Sequence, residues 1–80
     1  MVNLNQFSNH EKKQMILHVL KENEDGMTWA AIARRLDRKP EGDTYAMIKR
    51  LTLELQTEGR IRIVDFGGKN FMKLCKVIQN

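Results

Sequence analysis

The sequence predicts a single α+β domain, in which three α-helices are followed by a C-terminal two-stranded β-hairpin. Three segments carry apolar residues at the spacing of an amphipathic helix, and polar or Gly-containing turns separate them. The C-terminal segment instead alternates apolar and polar residues on either side of Gly67 and Gly68, which is typical of two strands joined by a turn. With 80 residues, the chain has room for one such domain.

The first helix is expected to begin at Asn9. The sequence SNHE, residues 8–11, has the capping-box pattern, in which a Ser hydroxyl and a Glu carboxylate three residues later bind each other's free backbone amides. The polar segment 23–26 ends in Gly and is predicted to stop the helix. Between these signals lies an apolar stripe of helical period, formed by Met15, Ile16, Val19 and Leu20.

A short second helix is predicted over Trp29–Leu36, with Thr28 as its N-cap. Its three alanines permit close packing against another helix, and Ile32 and Leu36, four residues apart, supply its buried stripe. We expect Trp29 to anchor this packing and its indole nitrogen to reach solvent or a phosphate.

The third helix is predicted over Thr44–Glu58, because Pro40 and Gly42 break the preceding pattern, Asp43 is a suitable cap and Gly59 a suitable stop. One side of this helix is apolar, with Ile48, Leu51 and Leu55. The opposite side carries Ala46, Arg50, Leu53 and Thr57, with Lys49 beside them. The outer face of the helix therefore has cations at its middle.

The apolar stripes of these elements predict one shared core. It is expected to contain Ile16, Val19, Leu20, Ile32, Leu36, Ile48, Leu51, Leu55, Ile61 and Ile63. Cys75 lies among apolar strand residues and is expected to be a small buried side chain rather than a nucleophile.

The composition favours a globular, cytoplasmic protein, with 41% hydrophobic and 30% charged residues. Cys75 is the only cysteine, so no internal disulfide is available, and no Cys/His cluster has zinc-ligand spacing. His10 and His18 are too far apart for one metal ion and are expected at the surface. No apolar run approaches the roughly 20 residues that cross a bilayer. We expect no cofactor and no membrane partner.

Positive charge is the main functional signal of the composition. Fourteen Lys and Arg against ten Asp and Glu give a net charge of +4, which favours a polyanionic partner. The charge is concentrated in segments 26–40 and 60–76, each of which contains a single acidic residue. The densest cluster is formed by Arg34, Arg35, Arg38 and Lys39.

The predicted order of elements resembles the winged helix-turn-helix family of DNA-binding domains. It consists of three helices, of which the second is short and the third is long, followed by a hairpin. The resemblance covers about residues 8–78. It is carried by MTWAAIARRL, similar to the family's second helix, and by IKRLTLELQTEGRIRI, similar to its third helix followed by an acidic residue, Gly and the first wing strand. The resemblance implies a third helix in the major groove and a hairpin, or wing, on the backbone or minor groove.

The residues predicted to bind DNA are Thr44, Tyr45, Lys49, Arg50, Arg34, Arg35, Arg38, Lys39, Lys69 and Asn70. Arg50 would contact a guanine edge and Lys49 a phosphate; the alternative is a solvated helix face with Arg50 paired to Glu54. Thr44 and Tyr45 would donate to phosphates or base edges, although Tyr45 is equally suited to packing. At least two of Arg34, Arg35, Arg38 and Lys39 would face a phosphate chain, with solubility as the rival explanation for the others.

The hairpin tip has a DNA-binding interpretation and a simpler one. Phosphate oxygens accept from the Lys69 ammonium, from the Asn70 amide and from backbone amides left accessible by Gly67 and Gly68. A solvated turn that uses Gly for its left-handed dihedrals and Lys for solubility is an equally good interpretation.

The leading functional prediction is a small sequence-specific protein that binds double-stranded DNA and regulates transcription or replication. The alternative is a protein–protein interaction module that uses Leu53, Met47 and the wing. RNA or single-strand binding has less support, because only Tyr45, Phe66 and Phe71 are available to stack on bases. A homodimer is expected to extend the recognised site, with contacts from the N-terminal arm, Met1–Phe7, or the first helix.

Catalysis is not expected. The sequence has no Gly-rich phosphate loop, no nucleophile elbow and no paired carboxylates within an apolar run.

Overall fold

The computed structural model describes residues 6–66 and 72–78, and within them it contains three helices and one antiparallel hairpin. This α+β arrangement confirms the predicted fold class and matches a winged-helix layout. The elements are α1 (Asn9–Glu22), α2 (Trp29–Leu36), α3 (Gly42–Thr57), β1 (Ile61–Phe66) and β2 (Met72–Val77).

The start of α1 is fixed by the predicted capping box. The Ser8 hydroxyl accepts from the Glu11 amide at 3.1 Å, and the Ser8 amide donates to the Glu11 carboxylate, also at 3.1 Å. The hydrogen bond from the Ser8 backbone lowers the pKa of Glu11, because it favours the charged carboxylate. At the other end, the Asn23 side chain donates to the Val19 carbonyl at 2.9 Å and helps to stop the helix where the sequence indicated.

The predicted bounds are correct for α2 but wrong for α3, which was predicted over Thr44–Glu58 and spans Gly42–Thr57. Thr28 caps α2 by accepting from the Ala31 amide at 3.1 Å. The third helix begins at Gly42 with Glu41 as its N-cap, and Asp43 lies inside the first turn. The reason is local, because the Glu41 amide donates to the Thr44 hydroxyl at 3.3 Å. The negative charge of Asp43 still lies at the positive end of the helix dipole.

A single core joins all three helices to the inner face of the hairpin. Every residue predicted for it is buried, except Leu36 and Ile63, which are partly buried against it. The core also contains Leu17, Met27, Ala33 and Cys75. Burial raises the pKa of the Cys75 thiol to about 11, so this side chain packs as a neutral group, as predicted.

The hairpin is joined to the chain before α2 by a contact that the sequence did not predict. In the register of the two strands, Ile63 is opposite Cys75 and Arg62 is opposite Lys76. On its other side, Cys75 exchanges two backbone hydrogen bonds with Met27, at 2.7 and 3.0 Å. Because Met27 alone forms this bridge, the sequence around it shows no alternation of apolar and polar residues that would predict a strand. The bridge fixes β2 beside the start of α2.

Replacing Gly26 with alanine should lower the free energy of unfolding by about 1–2 kcal/mol, because an L residue is strained in the left-handed region. Gly26 has a φ of 105°, and a Cβ placed there would lie 3.1 Å from Lys76 Cγ and 3.2 Å from Leu74 Cβ. Chemical denaturation measures the loss. The matched control is Gly42→Ala in the first turn of α3, where no atom lies within 4 Å of the added carbon. Equal stability of the two variants would contradict the assigned backbone.

Candidate nucleic-acid interface

Helix α3 has two chemically different faces, as its sequence period predicts. Ile48, Leu51 and Leu55 are fully buried, and Thr52 is buried with them. The opposite side is exposed, with Ala46, Lys49, Arg50, Leu53 and Thr57. The core therefore fixes the orientation of the helix and directs Lys49 and Arg50 to solvent.

Lys49 lies over the ring of Trp29, with its ammonium nitrogen 5.4 Å from the ring centroid, within the range of a cation–π contact. The ring is itself held in place, because the Trp29 indole N–H donates to the Thr52 hydroxyl at 2.8 Å. The prediction that this nitrogen reaches solvent or a phosphate is therefore wrong, since the packing of α2 on α3 brings a hydroxyl within its reach. Lys49 is left as a cation at the junction of the two helices.

Arg50 belongs to a charged network that connects α1 to α3. Its Nε lies 3.8 Å from Glu54 Oε2, the pairing that the sequence offered as the alternative to DNA binding. Glu54 Oε1 lies 3.1 Å from the ammonium of Lys13, which also contacts Glu58 at 2.7 Å. The two carboxylates raise the pKa of Lys13, with Glu58 contributing most. Arg50 therefore shares its carboxylate with a second cation.

The four cations of the predicted cluster, two in the last turn of α2 and two directly after it, are all exposed, but they differ in their partners. The Arg35 guanidinium pairs with Glu22 of α1 at 3.1 Å. Arg34 donates from Nε to the carbonyl of Ala30 at 3.3 Å, which leaves its terminal nitrogens accessible. The side chains of Arg38 and Lys39 form no ion pair among residues 6–66 and 72–78, although the Lys39 backbone amide donates to the Asp37 carboxylate at 3.1 Å. The last three are the better phosphate ligands, because no side-chain carboxylate must be displaced.

The two residues predicted to bind DNA in the N-terminal turn of α3 differ in their accessibility. The Thr44 hydroxyl donates to Asp37 at 3.1 Å and accepts from the Glu41 amide, so its proton is already used within the chain. Tyr45 is 37% exposed and remains accessible. Glu41 and Asp43 are exposed beside it and would repel phosphates.

The predicted wing-tip ligands, Lys69 and Asn70, lie outside the described residues, and their contact with DNA stays a prediction. The described part of the hairpin also carries positive charge. Arg60 and Arg62 are exposed, and Lys76 is directly opposite Arg62 across the two strands. The base of the wing is therefore basic.

Among the residues that the structure describes, no group of three or more His, Cys, Asp or Glu side chains is arranged to hold a metal ion. His10 and His18 are both exposed, as predicted, and His18 lies 3.8 Å from Glu22. In the same ranges, no helix combines the length and the apolar character needed to cross a membrane.

Two elements of this surface escaped the sequence analysis. The first is the Trp29–Thr52 hydrogen bond, for which a signal existed: Thr52 follows Ile48 by four residues and therefore lies on the apolar stripe, where a buried hydroxyl needs a partner. The second is the contact of Lys13 with Glu54, for which no local pattern exists, because the two residues belong to different helices.

The chain matches no protein-family model, no curated protein and no solved structure. Its function must therefore be inferred from the charge, exposure and geometry of its own residues.

Proposed function

We propose that this chain is a sequence-specific double-stranded DNA-binding protein that regulates transcription or replication. One observation carries the proposal: α3 has a fully buried apolar face, and its opposite, exposed face has Lys49 and Arg50 at the middle. The major groove is wide enough to admit an α-helix, and Arg is suited to the two acceptors of a guanine edge. Helix α3 would lie in that groove, with the hairpin on the backbone or minor groove.

The cations around α3 support the proposal, because phosphate contacts supply most of the affinity and position the protein on the duplex. The side chains of Arg34, Arg38 and Lys39 are exposed and form no ion pair within the part of the chain that the structure describes. They lie in or directly after α2, which packs against α3. A binding protein rather than an enzyme is proposed, since the side chains gathered at this surface are exposed cations and hydrogen-bond donors.

Binding to random duplex DNA should weaken linearly with salt on a logarithmic plot. If three to five cations meet phosphates, the slope should be about −2.7 to −4.5, because each neutralised phosphate contributes about −0.9. Fluorescence anisotropy at several salt concentrations measures this slope. Arg34→Ala should reduce its magnitude by about one unit, whereas Lys21→Ala, which removes an exposed cation from α1, should not change it. No binding at low salt would contradict the proposal.

A protein–protein interaction module is the second candidate, and two observations favour it. Leu53 and Tyr45 are the large exposed apolar side chains of the described chain, at 42% and 37% exposure, and both lie on α3. Glu41 and Asp43 place negative charge at the start of the same helix. Met47, which was predicted for this surface, is instead partly buried against the core. This candidate becomes the better account if duplex DNA does not bind at low salt.

A further inference from the structure

Glu54 is held by two cations at once, and they use different oxygen atoms. Lys13 contacts Oε1 at 3.1 Å, and Arg50 contacts Oε2 at 3.8 Å. The Lys13 side chain is only 15% exposed and is also held by Glu58 at 2.7 Å, whereas the Arg50 side chain is 60% exposed. Lys13 is therefore the more buried partner of Glu54 and anchors it, and Arg50 is the exposed partner.

The geometry of the Arg50 contact leaves its terminal edge accessible. The contact with Glu54 is made by Nε, and the two Nη groups retain four N–H donors. A guanine edge needs only two donors from that end of the guanidinium, at O6 and N7. Arg50 can therefore bind guanine while Nε stays beside Glu54.

The Glu54 carboxylate affects the attraction of Arg50 to phosphates differently from its hydrogen bonds to a base. Attraction between Arg50 and the DNA backbone depends on net charge, and the negative charge of Glu54 lies within one Debye length of the guanidinium. Glu54 therefore reduces the attraction of Arg50 to any phosphate, yet leaves the directed hydrogen bonds to a base edge available. Discrimination improves when binding to the wrong partner is weakened.

We propose that Glu54, anchored by Lys13, is a specificity-determining residue that suppresses binding of Arg50 to random DNA more than to a guanine-containing site. This inference rests on the proposed DNA-binding function. Glu54 acts through Arg50 and does not itself contact the DNA.

The test compares Glu54→Gln with Glu58→Gln. Both variants remove one negative charge and one partner of Lys13, but only Glu54 is also a partner of Arg50. On random duplex, Glu54→Gln should bind about two- to threefold more tightly than Glu58→Gln, the range expected for the loss of one exposed ion pair. On a site selected from a random pool with the wild-type protein, the two variants should differ less.

The decisive experiment repeats the comparison of the two Gln variants in a protein that also carries Arg50→Ala. There the difference between the two Gln variants on random duplex should vanish, because the residue through which Glu54 acts is gone. If the difference persists, the inference is overturned, because Glu54 then affects DNA binding through its charge alone and not through Arg50. Equal binding of the two variants in the Arg50-containing protein would overturn it as well.

A measurement without DNA separates this inference from the proposed function. The Arg50 Nε–H resonance of the free protein should shift in Glu54→Gln and keep its position in Glu58→Gln. A resonance unchanged in both variants would overturn the inference. Failure of the wild-type protein to bind any duplex at low salt would instead refute the proposed function, whatever the resonance shows.

Discussion

Replacing Leu51 with alanine is expected to lower the free energy of unfolding by about 2–5 kcal/mol, the range for a buried Leu whose removal leaves a cavity. Leu51 is fully buried at the centre of α3, within the core formed by all three helices and the hairpin. A domain of this length has a total stability of about 4–12 kcal/mol, so the variant should lose a large share of it. Urea denaturation followed by circular dichroism measures the change.

The matched control is Leu53→Ala, two residues further along the same helix. Leu53 is 42% exposed on the outer face, so its truncation should change the free energy of unfolding by less than about 0.5 kcal/mol. The two variants remove the same atoms from opposite faces. A similar loss of stability in both would mean that the register of α3 against the core is wrong.

The starts of α1 and α2 were predictable because the signals that fix them are local in the sequence. The Ser8 and Glu11 capping box and the Thr28 cap act over three residues, so the signals that start α1 and α2 are contained in a few letters of sequence. The start of α3 was harder to predict, because Glu41 and Asp43 are both acidic. Glu41 is the cap because its amide donates to the Thr44 hydroxyl and its carbonyl accepts from the Tyr45 amide at 3.2 Å.

The candidate site was predictable only in part, for a related reason. Helical period alone places Lys49 and Arg50 on the exposed face, opposite the buried stripe. Arg50 pairs with Glu54 of the same helix, as the sequence spacing offered. Lys49, however, lies over Trp29 of α2, and Lys13 of α1 shares Glu54 with Arg50. Which cations are paired and which remain accessible to a ligand is thus decided by the packing of helices, which sequence spacing does not contain.

Replacing Arg50 with alanine is expected to weaken binding to the specific DNA site by about 1–3 kcal/mol and to relax preference at one base position. Arg50 projects from the middle of the exposed face of α3, where a side chain reaches base edges when a helix lies in the major groove. On random duplex the loss should be smaller, because the contact with Glu54 already weakens the attraction of Arg50 to phosphates. Binding isotherms on specific and random duplexes, at two salt concentrations, separate these effects.

Two further variants serve as controls for the effect of Arg50→Ala. Lys69→Ala, at the predicted wing tip, should weaken binding to all sequences alike and reduce the magnitude of the salt slope by about one unit, as expected for a phosphate contact. Lys21→Ala removes the same charge from the surface of α1 and should affect neither affinity nor base preference.

If Arg50→Ala leaves affinity and base preference unchanged, α3 does not read the major groove. Its exposed Leu53 and Tyr45 then favour a protein partner, because they are the apolar side chains that such an interface would bury.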